Sequence, residues 1–345
     1  MNAVRMTPIT ERSVWTGSEL AADPAWRHTL TPGEVAELDA AVRAVRARGL
    51  GVAAFTREDF ELPTLGPRIA ALADEVENGR GVAMLRGVPV ERYDRETVEI
   101  LYWGFGVHAG EPISQNSRGQ LISEVSDRGN DYGDINARGF ATNAELMPHV
   151  DTSDATSLLC LRAARSGGES RVISSTAVYN VILDEHPEHL AILCRGFHND
   201  LRGEGPTGDV DELTTNRVPV YSDFAGRVSC SFNYRMIEGA ATKSGVPLTG
   251  EERAALDFLR AVAEREEMGY GFRLAPGDIQ MVSNHSAFHS RASFVDHDEP
   301  ARRRCLLRFW LNIREGRPLA DDFACRYNTG PRGGVAVGEG ARYVF

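Results

Sequence analysis

The chain reads as a mainly β protein with flanking helices. Three observations lead there. Helical periodicity is concentrated in the first third, short apolar runs bounded by glycine and proline dominate from about residue 156 onward, and residues 304–312 alternate cleanly between two faces. A length of 345 residues fits two small domains or one large β-rich domain with helical additions. No internal repeat, low-complexity segment or clean linker divides it, so one domain over 1–345 is the simplest partition, with 1–80 as its helical N-terminal region.

In order along the chain, Thr31-Pro32-Gly33-Glu34 supplies a cap, a first-turn proline and an early acid, and Val35, Leu38, Val42 and Val45 follow at helical spacing. The expected helix spans 32–48. A second is expected over 67–78, stopping at Gly79, then a strand over 81–87, and a third helix capped by Asp94. Residues 113–134 are polar and glycine-punctuated around a short strand at 121–125, the composition of a solvated loop or of a lid over a site. A β run over 156–163, a Ser166-Gly167-Gly168-Glu169-Ser170 turn and a strand at 171–174 follow, then helices opened by Ser175 and Pro187. Strands at 218–221 and 228–234 flank Asp223-Phe-Ala-Gly226 as a hairpin, and Thr249 with Glu252 forms a capping box for a helix carrying Leu256, Leu259 and Val262. A strand over 277–284 leads to His285 and His289.

Hydrophobic content of 42% and charged content of 25% are those of an ordinary globular protein. The 38 basic against 49 acidic residues leave a net charge of −11, which repels phosphate backbones, so nucleic acid is not an expected partner. No apolar run reaches the roughly 18 residues of a membrane span, the N-terminus lacks the apolar centre of a signal peptide, and a cytoplasmic location is expected. Cys160, Cys194, Cys230, Cys305 and Cys325 are odd in number and scattered, which speaks against a disulfide framework or a zinc ribbon.

The chemistry centres on Met147-Pro148-His149-Val150-Asp151. In an extended chain, residues two apart share a face, so His149 and Asp151 can bind one metal ion and a second histidine would complete the two-histidine, one-carboxylate set of non-haem Fe(II) oxygenases. A histidine and a carboxylate at this spacing also arise by chance on surface strands. In 304–312 one face is Cys305, Leu307, Phe309 and Leu311, and the other is Arg304, Leu306, Arg308, Trp310 and Asn312. An ordinary two-sided strand would put the arginines in water; in a barrel they would line a polar interior and demand an anionic ligand.

Taken together, His149-Val-Asp151, Ser166-Gly-Gly-Glu-Ser170, Pro276-Gly-Asp-Ile with Asn284, His289-Ser-Arg291 and Arg302-Arg-Arg-Cys-Leu-Leu-Arg308 resemble the TauD/TfdA (taurine dioxygenase-like) family of Fe(II)- and 2-oxoglutarate-dependent dioxygenases, in its clavaminate synthase-like branch. The resemblance spans about 81–314. It implies a double-stranded β-helix, the jelly roll of cupin-like proteins, with 1–80 packed on it. It implies iron ligation by His149, Asp151 and His289, with His285 a core or supporting histidine and His297 uninvolved. Arg304 matches the arginine that pairs with the distal carboxylate of 2-oxoglutarate. Ser170 stands where a threonine is common, and Arg308 lies nearer the substrate, the other end of the cosubstrate, or a structural ion pair.

The implied reaction couples O2 and 2-oxoglutarate to hydroxylation of a C–H bond of a small polar metabolite, with succinate and CO2 released. The carboxylate at Asp151 argues against halogenation. Asn143 and Glu145, two-residue steps back from the ligands, are expected substrate contacts, as are Tyr234 and Arg235 at a hairpin end and Gln115 or Asn116 from the polar loop. A homo-oligomer is compatible with the sequence. Two rivals use the same ligands, a zinc hydrolase, which has no need of Arg304, and a non-catalytic cupin-like binding protein.

Overall fold

The computed structural model describes residues 4–338. Its larger sheet runs, in spatial order, β1 (Arg27–Thr29), β2 (Val82–Arg86), β12 (Ile279–Ser283), β6 (Ala155–Arg162), β15 (Cys305–Asn312) and β3 (Glu111–Pro112), with β4 (Ile122–Val125) also on β15. The smaller sheet runs β11 (Gly269–Phe272), β8 (Ser170–Ser174), β13 (Ala287–Arg291) and β5 (Leu146–His149). Two ribbons, β9 (Tyr221–Phe224) with β10 (Arg227–Cys230) and β7 (Ser166–Gly167) with β14 (Phe294–Val295), complete the strands among the described residues.

The alternation along each strand divides the interior from the helical cover. In β2, Val82 and Met84 meet Val172, Phe272 and Ala287 of the smaller sheet in a shared inner cluster, while Ala83 and Leu85 face the helices. In β15, Leu307, Phe309 and Leu311 pack under α4 (Arg95–Ala109), with the Phe309 ring 4.5 Å from that of Tyr102. The opposite face turns Leu306 into the inner cluster and Arg308 and Trp310 into a cavity. The arginine face is therefore inside.

Helices α2 (Pro32–Ala47) and α3 (Leu65–Asn78) join α4 on the outer face of the larger sheet. Behind the smaller sheet lie α5 (Ser175–Glu185), α6 (Glu188–Arg195), α7 (Tyr234–Ser244) and α8 (Gly250–Glu264), gathered around Ile173 and Phe288. Short α1 (Gly17–Ala22) and α9 (Asp321–Ala324) complete the α-helices among the described residues. The capping boxes at Thr31 and Thr249 form as the sequence suggests. None of these helices is long and apolar enough to cross a membrane.

Three local readings are corrected. Ser174, not Ser175, caps α5, its hydroxyl accepting from the Ala177 amide at 2.9 Å. The hairpin is shifted: its turn is Ala225-Gly226, both at positive φ, between Phe224 and Arg227, and Val218 only bridges Phe197. Residues 231–234 do not continue the second strand, because the Asn233 side chain accepts from the Met236 amide at 3.2 Å and starts α7.

Candidate metal centre

β5 and β13 pair antiparallel with His149 directly opposite His289, which brings the two rings to 4.4 Å between centroids. Asp151 lies just beyond the end of β5. Its amide donates to Asn284 Oδ1 at 3.0 Å, and the Asn284 amide nitrogen donates to Ser153 Oγ (3.0 Å) and Thr156 Oγ1 (3.1 Å). Thr156 Oγ1 in turn donates to Asp151 Oδ2 at 2.8 Å. Asn284, fully buried at the end of β12, thus ties the loop that carries the carboxylate to the strand that precedes His289.

One ligand atom each from His149, Asp151 and His289 fall within 4.8 Å of one another, with His289 Nε2 3.8 Å from Asp151 Oδ2. His149 Nδ1 donates to the Met147 carbonyl at 2.8 Å when the ring is neutral, which leaves Nε2 free as a ligand. Burial pushes both imidazoles below their ordinary range, His289 to about 3, so both are neutral at pH 7. Burial works to raise the Asp151 carboxyl, but the Arg308 guanidinium, with the two imidazoles and the Thr156 hydroxyl behind it, holds it well below the usual carboxylate range. Two neutral nitrogens and one carboxylate, deprotonated without competition from protons, fit a divalent cation such as Fe(II).

Beside this triad the cavity carries two arginines that form no ion pair among the described residues. Arg304, 5% exposed, leaves Nη1 without a partner; Arg291 gives Nη2 to the carbonyls of Thr142 (2.9 Å) and Ala144 but leaves Nε and Nη1 unpaired. Both guanidinium groups sit over the Phe294 ring, at 4.9 and 5.0 Å. Burial lowers both pKa values, Arg291 to about 9. Ser170 is paired opposite Arg291 on β8, and Gln280, whose Oε1 is also unpaired, lines the same region. Two desolvated cations with spare donors suit a carboxylate better than any neutral ligand.

Gly167 and Gly168 hold this end together. Both sit in the left-handed region, at φ 72° and 74°; a Cβ on Gly167 would fall 2.3 Å from the Ser293 carbonyl oxygen, and one on Gly168 3.5 Å from Arg304 Nε. That is the physical reason for the Ser-Gly-Gly-Glu-Ser stretch. The sequence signal for Arg291 is its two-residue step from His289, which puts both on one face of β13.

Arg308 donates from Nε to Gln115 Oε1 at 2.7 Å and places Nη1 3.7 Å from Asp151 Oδ2. Gln115 is fully engaged: it also accepts from Ser123 and donates to the carbonyls of Leu121 and Arg308. It therefore fixes Arg308 and has no group left for a substrate. Asn116 lines the cavity, but its side chain is occupied by Gln120 and the turn that follows it.

Asn143 and Glu145 are exposed and outside the cavity lining. The pairing of β5 with β13 slips between His149↔His289 and Arg291↔Leu146, three residues against two, so the extra residue inverts the alternation upstream of the ligands. Tyr234 and Arg235 line the cavity from the start of α7, yet the Tyr234 hydroxyl donates to Asp257 at 2.8 Å. Arg235 donates to the carbonyls of Tyr132 and Asp134 at 2.8 Å each and stacks on the Tyr132 ring. The polar loop is thus pinned over the cavity in part, by Arg235. His285 is buried away from the cavity against Asp154, its Nε2 2.9 Å from Oδ1, and His297 is likewise outside it.

One cavity holds the triad, the arginine pair and Arg308. Two imidazoles, one carboxylate and the unneutralised arginines fit a non-haem iron oxygenase site with a carboxylate-bearing cosubstrate.

A family model described as taurine catabolism dioxygenase TauD, TfdA family, matches residues 46–310. FR-33289 synthase of Streptomyces rubellomurinus is 34% identical over 316 residues, covering 90% of this chain and 92% of the relative. Among solved structures, asparagine oxygenase in complex with Fe(II), 2S,3S-3-hydroxyasparagine and succinate aligns with a TM-score of 0.67 at 18% identity, over 83% of this chain and 93% of that one. The non-heme iron oxygenase OrfP, in complex with Fe, aligns at 0.60 and 17% identity over 85% and 98%. The chain belongs to the TauD/TfdA family. It is an Fe(II)- and 2-oxoglutarate-dependent dioxygenase.

Proposed function

We propose that this dioxygenase hydroxylates an unactivated C–H bond of a small polar metabolite, an amino acid or an intermediate of secondary metabolism, on a double-stranded β-helix domain spanning the chain. The observation that carries the reading is the meeting of His149, Asp151 and His289 in one cavity with Arg304 and Arg291, each of which keeps at least one buried donor without an acceptor among the described residues.

His149, Asp151 and His289 would hold Fe(II), and Arg304, Arg291 and Ser170 the distal carboxylate of 2-oxoglutarate. Iron and cosubstrate, when bound, supply the oxidation of the C–H bond by O2, with 2-oxoglutarate leaving as succinate and CO2. The chain supplies placement. Asn284 and Thr156 orient the Asp151 carboxylate, the Met147 carbonyl fixes the His149 tautomer, and Arg308, held by Gln115, keeps Asp151 ionised. Leu146, Phe140 and Trp310 add apolar surface to the lining of the cavity, which restricts water there. A zinc hydrolase would leave the Arg304–Arg291 pair without a ligand. The five free thiols accord with a reducing, cytoplasmic setting, which is part of the same proposal.

The test is succinate formation from 2-oxoglutarate with a library of amino acids and polar metabolites. Stimulation above the substrate-free rate is expected in the wild type and absent in His149→Ala and Asp151→Ala. Undiminished turnover in either variant would remove that residue from the metal site.

A further inference from the structure

We propose a second metal site, away from the cavity: His186, Glu188 and His189, at the corner between α5 and α6, form a surface site for a divalent transition ion, Zn(II) foremost.

The corner is built by the stretch Asp184-Glu185-His186-Pro187-Glu188-His189. His186 closes α5, its amide donating to the Ile182 carbonyl, and Pro187 opens α6 at φ −57° and ψ −25°. The His189 amide donates back to the His186 carbonyl at 3.0 Å, and that of Leu190 to the Pro187 carbonyl at 3.1 Å. The fixed φ of proline and these two bonds hold the turn in one conformation, in which His186 and His189, three residues apart, project on the same side. Their rings stack, 5.2 Å between centroids and 25° between planes. Phe258 of α8 meets both, edge-on to His186 at 4.6 Å and tilted to His189 at 5.6 Å, so the imidazoles are seated against a neighbouring helix.

Glu188 supplies the third group. One ligand atom from each residue falls within 4.8 Å of the others, and His186 Nδ1 lies 2.9 Å from Glu188 Oε1. Two donors bound to one ion at about 2.0–2.2 Å stand about 3 Å apart when they subtend a right angle, so this pair needs little movement to share a metal. His189 gives an independent sign: its Nδ1 is buried and has no hydrogen-bond partner among the described residues. A buried imidazole nitrogen left bare is costly, and a Lewis acid held with His186 and Glu188 satisfies it. The local charge points the same way. Asp184 and Glu188 are exposed carboxylates, Glu185 is held by Arg265 at 2.7 Å to each oxygen, and the last carbonyls of α5 add partial negative charge at its C-terminus. Two imidazoles and a carboxylate disfavour Ca(II) and Mg(II), which take oxygen ligands, and suit Zn(II), Ni(II) or Cu(II), with the remaining positions open to water. None of the three residues lines the metal cavity, and the helices that carry them pack behind the smaller sheet. An ion here clamps the end of α5 to the first turn of α6 and takes no part in the oxidation.

The experiment uses full-length protein loaded with Fe(II) and 2-oxoglutarate, dialysed anaerobically against a buffered series of Zn(II) concentrations, with zinc plus iron per chain counted by elemental analysis. The wild type is expected to hold one equivalent of metal more than the double variant His186→Gln/His189→Gln. Glu188→Gln is expected to need about tenfold or more Zn(II) to fill that equivalent, since groups that merely support a ligand are worth about 10- to 100-fold. Equal totals in the wild type and the double variant at every concentration, or an unshifted Glu188→Gln curve, overturn the proposal. Counting both metals makes the difference independent of any exchange of zinc for iron at His149, Asp151 and His289; failure of that centre lowers every total by one and leaves the difference. Far-UV circular dichroism shows whether each variant is folded, and should the double variant be unfolded, Glu188→Gln, on an exposed side chain, decides.

Discussion

Replacing Arg304 with methionine should raise stability and weaken cosubstrate binding together, a combination that an ordinary core substitution does not produce. Arg304 is 5% exposed, Nη1 has no partner, and burial depresses its pKa. A buried donor left unpaired costs about 1–3 kcal/mol. Losing the contact with Phe294 gives back about 0.5–1 kcal/mol. Without 2-oxoglutarate the variant should therefore gain about 1 kcal/mol, a rise in Tm of about 1–3 °C in a chain of this size. With 2-oxoglutarate it loses a charge-assisted pair of about 1.5–3 kcal/mol, so Kd rises by roughly 10- to 150-fold, Arg291 retaining the residual affinity. The assay is thermal unfolding of the Fe(II)-loaded protein with and without cosubstrate, alongside anaerobic calorimetry. A variant several degrees less stable whose affinity for 2-oxoglutarate is unchanged would refute the reasoning.

Other perturbations separate the supporting parts. Asn284→Ala removes the bonds to the Asp151 amide, Ser153 and Thr156, so metal affinity should fall by about 10- to 100-fold as for other groups that orient a ligand; an unchanged Co(II) titration would show that the loop holds itself. Gly168→Ala forces a Cβ into the left-handed region 3.3 Å from the Phe294 Cβ, and should cost about 1 kcal/mol or more in stability while weakening 2-oxoglutarate binding; a variant equal to the wild type in both would contradict it. Stability should fall on acidification in two stages. His285 is kept neutral by burial, its pKa lowered to about 4 against an ordinary 6.5, so the unfolded chain takes up its proton first and stability drops between about pH 6.5 and 4. Burial tends to raise Asp154, but His285, Arg332 and Arg326 hold it near 2, so its contribution is present above about 3.8 and is lost as the pH falls towards 2. Urea unfolding at stepped pH checks this, and His285→Gln should make the first stage shallower while leaving the share of His149 and His289, whose pKa values burial also lowers.

What was legible in the sequence was what repeats on a short period. His149 and Asp151 announce themselves by a two-residue step, and the arginine face of β15 by strict alternation, whose inward direction the structure confirms. Upstream of His149 the same arithmetic misplaced Asn143 and Glu145, because a one-residue bulge leaves no mark in the pattern of side chains. Tyr234 and Arg235 look like the end of a strand in the sequence, since Val228 to Phe232 is β-like and the Asn233 cap that starts α7 is a single residue. Gln115 looked like a polar group available to substrate, but its partners, Ser123 and Arg308, come from two different strands.

The most direct measurement is an anaerobic titration of Fe(II) into the purified protein with and without 2-oxoglutarate, followed in the visible. One equivalent of Fe(II) is expected to give a charge-transfer band that requires both components, disappears in His289→Ala, and needs more cosubstrate to saturate in Arg304→Met. Stoichiometric iron binding with no band at any 2-oxoglutarate concentration, or a full band in His289→Ala, would contradict a ferrous centre built from His149, Asp151 and His289 beside a carboxylate grip.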